Sequence, residues 1–570
     1  MSEQYQNDNS EPQAEQPPAT GAEPCRPDSV DPGVPDEHCS TAESGESHAP
    51  DVAPDDHRRL GDGKEDCDPT EQEIHAARFD GLIDVPPPIL HGRIVALDGR
   101  DRILLAPENF DINIAKALTA LGEHRDAYER GGKIVGIAKK RSKTSSGKIS
   151  SSPLIQLLTA NNVREQLSRR VVFQRPSPPL KGSDDGDGVK ITTAPREICE
   201  AIIERTSYEE LPVLRSITFA PTLRRDGSIL QSSGYDEQTG LFADIDGDFE
   251  FQSPPTRDDA LAALKLLCEV FSGFPFVTDL DRAIAIAACL AVVMTPVLDT
   301  KPAIGISAPV ASSGKGYLIR MLVVLATGRL VSPMGAGKSD EEMVKHLDAK
   351  LLKGDPIIAI DNITRPLGGD RLCTLVSEPI SSVRPLGASL VVDVPNAQLF
   401  ANGNSLTAIG DMCRRILILT LDPRVERPEL REFEFNALAE IYEHRQKYLR
   451  AVLTILLAHR HAAPAAGRKH WPPLGSFERW SKVVRDPLMW LGLPNVVDAL
   501  EKNRANDPTL QQRVTVLTTI ADVIAFGAKF TTPELISLAI RQHGAAVTGT
   551  PPAGGPLREA LLGAVGHGSE

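Results

Sequence analysis

Two lysines, each preceded by glycine, stand 23 positions apart in "APVASSGKGYL" (Ala308–Leu318) and "MGAGKSDEE" (Met334–Glu342). A loop that holds phosphate needs a buried strand to fix it, successive backbone N–H groups, and a helix whose amino end adds its dipole. The first stretch has all three. "AIGIS" (303–307) reads as a buried strand and "GYLIRMLVVLAT" (316–327) as a long helix. Lys315 would reach the β/γ-phosphates of ATP, with Ser312, Ser313, Gly314 and Gly316 forming the cradle. Two residues depart from G-x-x-x-x-G-K-[ST]: Pro309 replaces the leading glycine, and Gly316 replaces the hydroxyl residue that ligates Mg²⁺. The second stretch ends in Gly-Lys-Ser. Its helix, however, opens with Asp340, Glu341 and Glu342, carboxylates that would repel a triphosphate at the dipole's positive end. Lys315 is therefore the expected phosphate lysine.

Further chemistry follows in chain order. "DPIIAIDN" (355–362) is an apolar strand ending in an acid, which assigns Asp361 to Mg²⁺. One β–α unit separates it from Lys315, so the two motif strands are expected side by side with the unit's strand outside them. "NAQLFANGNSL" (396–406) is a strand ending in amides suited to sensing a γ-phosphate or orienting water, Asn404 among them. "GDMCRRILILTLDP" (410–423) places Arg414 and Arg415 before another buried strand, where a guanidinium can act on a neighbouring subunit's transition state.

The elements around this region set its context. The net charge of −15 is concentrated at the amino end, where residues 1–70 carry 18 acidic residues against 4 basic. The rest is near neutral, so nucleic-acid binding must rest on local basic patches. Residues 1–75, rich in Pro, Glu, Asp, Ser and Gly, are expected to be a disordered acidic tail. A mixed α/β domain is expected over 76–255, with strands at "KIVGIA" and "RVVFQR" and helices near 112–120 and 195–205. Between them "KKRSKTSSGKISSS" (139–152) reads as a basic loop whose Lys139, Lys140 and Arg141 suit a phosphate backbone; the same composition fits a solvated loop. "DIDGD" (244–248) is a turn, since its glycine is misplaced for a calcium loop.

Residues 256–299 are read as a helical linker or bundle, 300–425 as the ATPase core, and 426–510 as a helical lid region. Residues 511–547 read as a small helical or winged-helix-like unit, and 548–570 as a disordered tail. The eight cysteines are scattered without a C-x-x-C pair, against a zinc site or disulfide framework. The apolar run 283–298 contains Pro296 and is short for a bilayer, so a buried core helix and a cytoplasmic protein without a membrane are expected.

The order "SSGK", "IIAIDN", "VRPLG", "FANGNSL", "GDMCRRILILTLDPRVERPE" resembles the helicase domain of phage and plasmid replication proteins, superfamily 3-type or related AAA+ ATPases often fused to a primase. The resemblance implies an α/β P-loop (ASCE/AAA+-like) core, with Lys315 as Walker A lysine and Asp361 as Walker B acid. It also implies Asn404 as sensor 1, Arg414 or Arg415 as the finger, and Ser381–Val394 as a DNA-gripping hairpin whose one basic residue is Arg384. Asn362 stands where a second Walker B acid is usual, and no paired-carboxylate primase site is evident upstream. The function so implied is a ring-forming, hexameric ATP-dependent DNA helicase or translocase, acting on single-stranded or forked DNA in phage, prophage, plasmid or mobile-element replication. The alternatives are an ATP-binding scaffold and a DNA-binding replication initiator.

Overall fold

The computed structural model describes residues 100–143, 149–177, 189–385, 391–432, 435–462, 471–543 and 555–565. The acidic stretch 1–75 lies outside them. At the centre are near-continuous runs of Ile, Leu, Ala and Phe, the pattern of strands covered on both faces. They form β1 (Ala303–Ala308), β2 (Met334–Gly335), β3 (Ile357–Ile363), β4 (Gln398–Asn404) and β5 (Ile416–Thr420), all parallel, in the order β2-β3-β4-β1-β5. Helix α1 (Lys315–Thr327) follows β1, and α2 (Asp340–Leu352) lies between β2 and β3. The unit's strand β2 lies outside β3, as expected. The two motif strands are not neighbours, however: β4 is inserted between β1 and β3 and hydrogen-bonds to both. Each neighbour's strand satisfies one edge of β4, which sequence spacing could not reveal.

Arginines from elsewhere in the chain, Arg130 buried and Arg445 partly buried, finish both helices. Arg445 donates to the carbonyls of Val324, Leu325 and Ala326 at the end of α1 and to Phe219. Arg130 donates to Leu351 and Leu352 at the end of α2. The last carbonyls of a helix have no intrahelical donor, so a guanidinium there satisfies them and complements the dipole. Burial lowers the proton affinity of both arginines, to a pKa of about 10.

The segment expected as a helical linker is part of this core. Helices Arg257–Val270 and Asp279–Met294 share one hydrophobic cluster with the sheet, and Thr420 at the end of β5 donates its backbone N–H to Asp281 at 2.8 Å. Among the described residues Asp279–Val297 is long and apolar enough to cross a membrane, but 83% of it is buried within the protein. "HWPPLGSFERW" contributes Phe477 and Trp480 to the same core.

Upstream, a sheet of Asp101–Leu104, Val171–Pro176 and Val189–Thr192 packs with helices Phe110–Glu123, Ala160–Arg170 and Arg196–Glu204 around a separate cluster. The basic segment is not a loop. Lys139, Lys140 and Arg141 lie in strand Lys133–Lys143, paired antiparallel with Ile149–Leu157 in a register that sets Lys139 opposite Pro153 and Arg141 opposite Ser151. The apolar run at 134–138 passes directly into the basic run, and the backbone ladder to Ile149–Leu157 carries the ribbon through Lys143; residues 144–148 lie outside the described residues.

Near the carboxyl end, helices Pro508–Val523 and Thr532–His543 match the expected pair, and Glu534 accepts from the backbone N–H and hydroxyl of Thr531. Residues Pro556–Val565, expected in a disordered tail, form a helix that buries Leu557 against this pair.

Lys301, just before β1, is fully buried and donates to the carbonyls of Asn396 (2.8 Å) and Leu298 (3.2 Å). Burial lowers its pKa from 10.5 to about 7. The folded state then binds fewer protons than the unfolded chain between those values, so this group's stability contribution rises with pH through that window and is lost as pH falls toward 7. Urea unfolding at about pH 7 and about pH 9 should show a rise of up to about 1.4 kcal/mol per pH unit that Lys301→Met lacks. Equal slopes in both proteins would exclude a neutral Lys301.

Candidate functional site

The carboxyl ends of β3, β4 and β1 converge on one edge of the sheet, where open α/β sheets present their ligand sites. Beyond β1 the chain turns through Pro309–Gly314. Ser312 and Gly314 hold positive φ (57° and 94°), which bends the loop back into α1. Gly314 is the N-cap and no side chain caps the helix. Ser313 is buried and donates its hydroxyl to the Val310 carbonyl at 2.6 Å, pinning the loop from inside.

Lys315 begins α1. Its Nζ donates to the Val310 carbonyl at 3.0 Å and to Asn404 Oδ1 at 2.7 Å. Burial lowers the proton affinity of this ammonium, and the Asp361 carboxylate opposes that shift. The structure thus brings together Lys315, Asn404 and Asp361, which the sequence separates by up to 89 positions.

The placement of Asp361 depends on a β-bulge. Ile360 pairs with Ala401 and Ile363 with Gly403, so Asp361 and Asn362 together face Asn402. The extra residue bends the strand and re-aims its side chains. Asn362 takes up the irregularity at φ 57°, and its N–H donates to the buried Asn402 side chain at 3.2 Å. Asparagine tolerates this left-handed conformation better than most residues. That is a physical reason for an amide at this position.

Gly316 is different. A Cβ built there meets nothing within 4 Å. Gly316→Ser should therefore fold normally and gain up to about 1 kcal/mol from relief of glycine's entropy cost in a helix. If Mg²⁺ is ligated here, the same change should lower the Mg²⁺ concentration needed for half-maximal ATP turnover; an unchanged Mg²⁺ titration would remove this position from the metal site.

The rival loop is internally satisfied. Glu342 accepts the backbone N–H of Lys338 at 2.9 Å, and Ser339 caps α2 by accepting from the Glu342 N–H. The Lys338 carbonyl accepts from Arg365, which also pairs with Asp340 at 2.7 Å. The anion position of that loop is filled by its own carboxylate.

Arg414 and Arg415 sit before β5, at the end of the sheet opposite Lys315. Ala303, which pairs with Ile416, is five residue steps from Ala308, roughly 16 Å along the strand. Arg415 is held by Ser377, by the Asp411 carbonyl and by an ion pair with Asp411, while Arg414 pairs with Asp411 and remains half exposed. Neither reaches Lys315 within one chain. The segment expected as a hairpin does form one, with Ile380–Val383 antiparallel to Val392–Pro395 and an exposed Arg384 beyond the first strand. It too lies at the amino end of β4. Lys139 and Arg141, both exposed, are on the separate ribbon upstream.

Sequence reasoning missed an aromatic wall. The Phe274 ring lies 3.6 Å from where a Gly314 Cβ would stand, and its centroid is 5.9 Å from that of Tyr317. Tyr317 also donates to Asn436, tying the following helix Ala437–Glu443 to α1. The phenylalanines of "FSGFPF" had no motif spacing that could have flagged them. Among the described residues no cluster of three or more His, Cys, Asp or Glu side chains is arranged to hold a metal.

In fold, the chain is similar to the apo C-terminal region of NrS-1, at 13% identity and a TM-score of 0.29, over 61% of this chain and 78% of that one. It is also similar to SCCmec type IV Cch, described as an active helicase, at 10% identity and a TM-score of 0.28, over 71% and 85% of the two chains. A third similarity is to the JCV helicase, at 12% identity and a TM-score of 0.18, over 47% and 73%. No family profile and no curated protein sequence matches the chain. TM-scores this low leave the site's own geometry as the ground for a functional reading.

Proposed function

We propose that the chain is an ATP-dependent DNA helicase or translocase serving the replication of a phage, plasmid or integrated mobile element. The observation that carries this reading is the contact of Lys315 with Asn404 at the shared end of β1 and β4, beside Asp361. Lys315 and the free amides at the start of α1 would hold the β/γ-phosphates, and Asp361 would hold Mg²⁺ directly or through water. Mg²⁺ would supply charge neutralisation on the transferred phosphate. Asn404 would exchange its hydrogen bond to Lys315 for one to the γ-phosphate or the attacking water. Phe274 and Tyr317 would offer the base an apolar wall.

Strand β4 connects this event to the hairpin. Asn404 is its last residue, and its first, Gln398, is separated from the hairpin by two residues. A seven-residue strand paired on both sides moves as a rod, so a shift at Asn404 would displace the hairpin and any DNA strand it holds. Arg414, at the far end of the sheet, would act on a neighbouring subunit in a hexameric ring. The basic ribbon carrying Lys139, Lys140 and Arg141 would contact the phosphate backbone.

The test is ATP turnover by the purified protein with and without single-stranded DNA, followed by displacement of a labelled strand from a fork. Stimulated turnover with displacement supports the reading. Binding of ATP without turnover would favour the scaffold, the reading to which Gly316 and Asn362 point, and site-specific DNA protection without ATP would favour the initiator.

A further inference from the structure

A second cleft lies at the other end of the sheet. It has a volume of about 1190 Å³ and runs between the turn at Arg224–Gly227, the residues leading into β1, and the helical segment after Trp471. Asp299 and Thr300 line it, and they precede β1 at the end opposite Lys315.

Its charges are unbalanced. The Asp299 carboxylate of the lining is shared by Arg225, also in the lining, at 3.1 Å and by Arg215 behind it at 2.9 Å. Arg460 spends one guanidinium N–H on the Asp226 carbonyl, which leaves its charge unneutralised. Two of the other lining charges are internally paired, Arg224 with Asp236 and Asp486 with Arg485. Glu478 is the remaining acid and accepts from the Ser476 N–H. Arg479 is half-buried in the wall, and among the described residues no hydrogen bond or ion pair reaches it. Burial, then the charge of Arg225, with Arg215 behind it, lowers its proton affinity against the opposition of Asp299 alone. Exposed Lys482 stands on the same wall, and the half-buried indole of Trp471 forms part of the lining.

Guanidinium groups held near one another without enough carboxylate are stabilised by an added anion, and arginine's planar donors match phosphate oxygens. An aromatic ring beside them offers a stacking face for a base. The volume exceeds the ordinary range for one small ligand, about 300–1,000 Å³. We propose that this cleft is a second phosphate-binding site, taking nucleotide units with their phosphates on Arg479, Arg225 and Lys482 and a base against Trp471. It is separate from the site at Lys315, and it needs no ATP turnover, so failure of the helicase reading leaves it standing.

The test uses the full chain carrying Lys315→Ala, to silence phosphate binding at the other site. In one arm a fluorescein-labelled thymidine oligonucleotide of about a dozen nucleotides is titrated at low salt and read by anisotropy. In the other, inorganic pyrophosphate is titrated and read by isothermal titration calorimetry. Arg479→Gln and, separately, Lys482→Glu should weaken binding about tenfold, the scale of a lost charged hydrogen bond, with unchanged melting temperature. Lys482 is exposed, so its variant keeps the test valid if Arg479→Gln fails to fold. Trp471→Leu should weaken the oligonucleotide alone. A response in both arms assigns a nucleic-acid strand, and a response confined to pyrophosphate assigns a free phosphate compound; either supports the site. If neither probe binds, or if binding is unaffected by both charge variants, the proposal is overturned.

Discussion

Lys315→Ala should lower ATP turnover at least about a hundredfold, the scale seen when one preorganised donor to a transition-state charge is removed, while Lys338→Ala should leave turnover within about twofold. The asymmetry follows from what each loop already holds. Lys315 directs its ammonium to Asn404 and the Val310 carbonyl, neutral acceptors that a phosphate oxygen can displace. Around Lys338 the backbone N–H is already taken by the Glu342 carboxylate, and a triphosphate would have to expel a fixed negative charge. Steady-state turnover with saturating ATP and Mg²⁺ decides the matter. Loss of activity in Lys338→Ala alone would place the phosphate on the Gly-Lys-Ser loop and overturn the site. Equal loss in both would mean that Lys338, three residues beyond the Gly335 that pairs with Asp361, shares in binding.

Gly403→Ala should be the most damaging single-methyl change in the site. A Cβ at Gly403 would overlap the carbonyl oxygen of Ile363, and that oxygen belongs to the backbone of β3, with no flexible side chain to swing away. Gly403 is the residue at which pairing resumes after the bulge, directly opposite Ile363. Forcing a methyl group between them should cost about 1–3 kcal/mol, the usual price of overpacking. It should also move Asn404 and Asp361 apart, so turnover should fall further than the loss of folded protein explains. Chemical denaturation gives the first quantity and turnover of the folded fraction gives the second. A variant with native stability and native turnover would show that the close approach at Gly403 does not position the site.

Much of this site was legible from residue order. The strand before Lys315, the acid closing "IIAIDN" and the amides closing "NAQLFANGN" announce themselves through local composition, because a strand buried on both faces must be uniformly apolar and its polar end marks where it leaves the core. The helix ends were legible for a similar reason. Acids after Ser339 belong to a capped amino terminus, and the structure places Glu342 in that role. What lay beyond reach were relations between distant segments. Nothing in the spacing from Lys315 to Asp361 says that β4 enters between their strands, since strand order is set by how helices cover both faces of the sheet.

The basic segment at Lys139–Ser152 shows the same limit from the other side. Its composition suits a loop, yet ladder hydrogen bonds to Ile149–Leu157 extend the ribbon through it, since backbone pairing is indifferent to charge. The linker helices, read by themselves, had no stated partner; in the structure Asp281 accepts the Thr278 N–H at the start of its own helix and also the N–H that ends β5. By itself the sequence marked the strands of the central sheet and the helix starts, and pointed to Lys315, Asp361 and Asn404 as candidates, because local patterning and short-range capping depend on near neighbours along the chain. Only the tertiary structure decided that these three meet, that Glu342 closes the rival loop and that a cationic cleft opens beyond β1, because each depends on packing between segments whose separation no local pattern records.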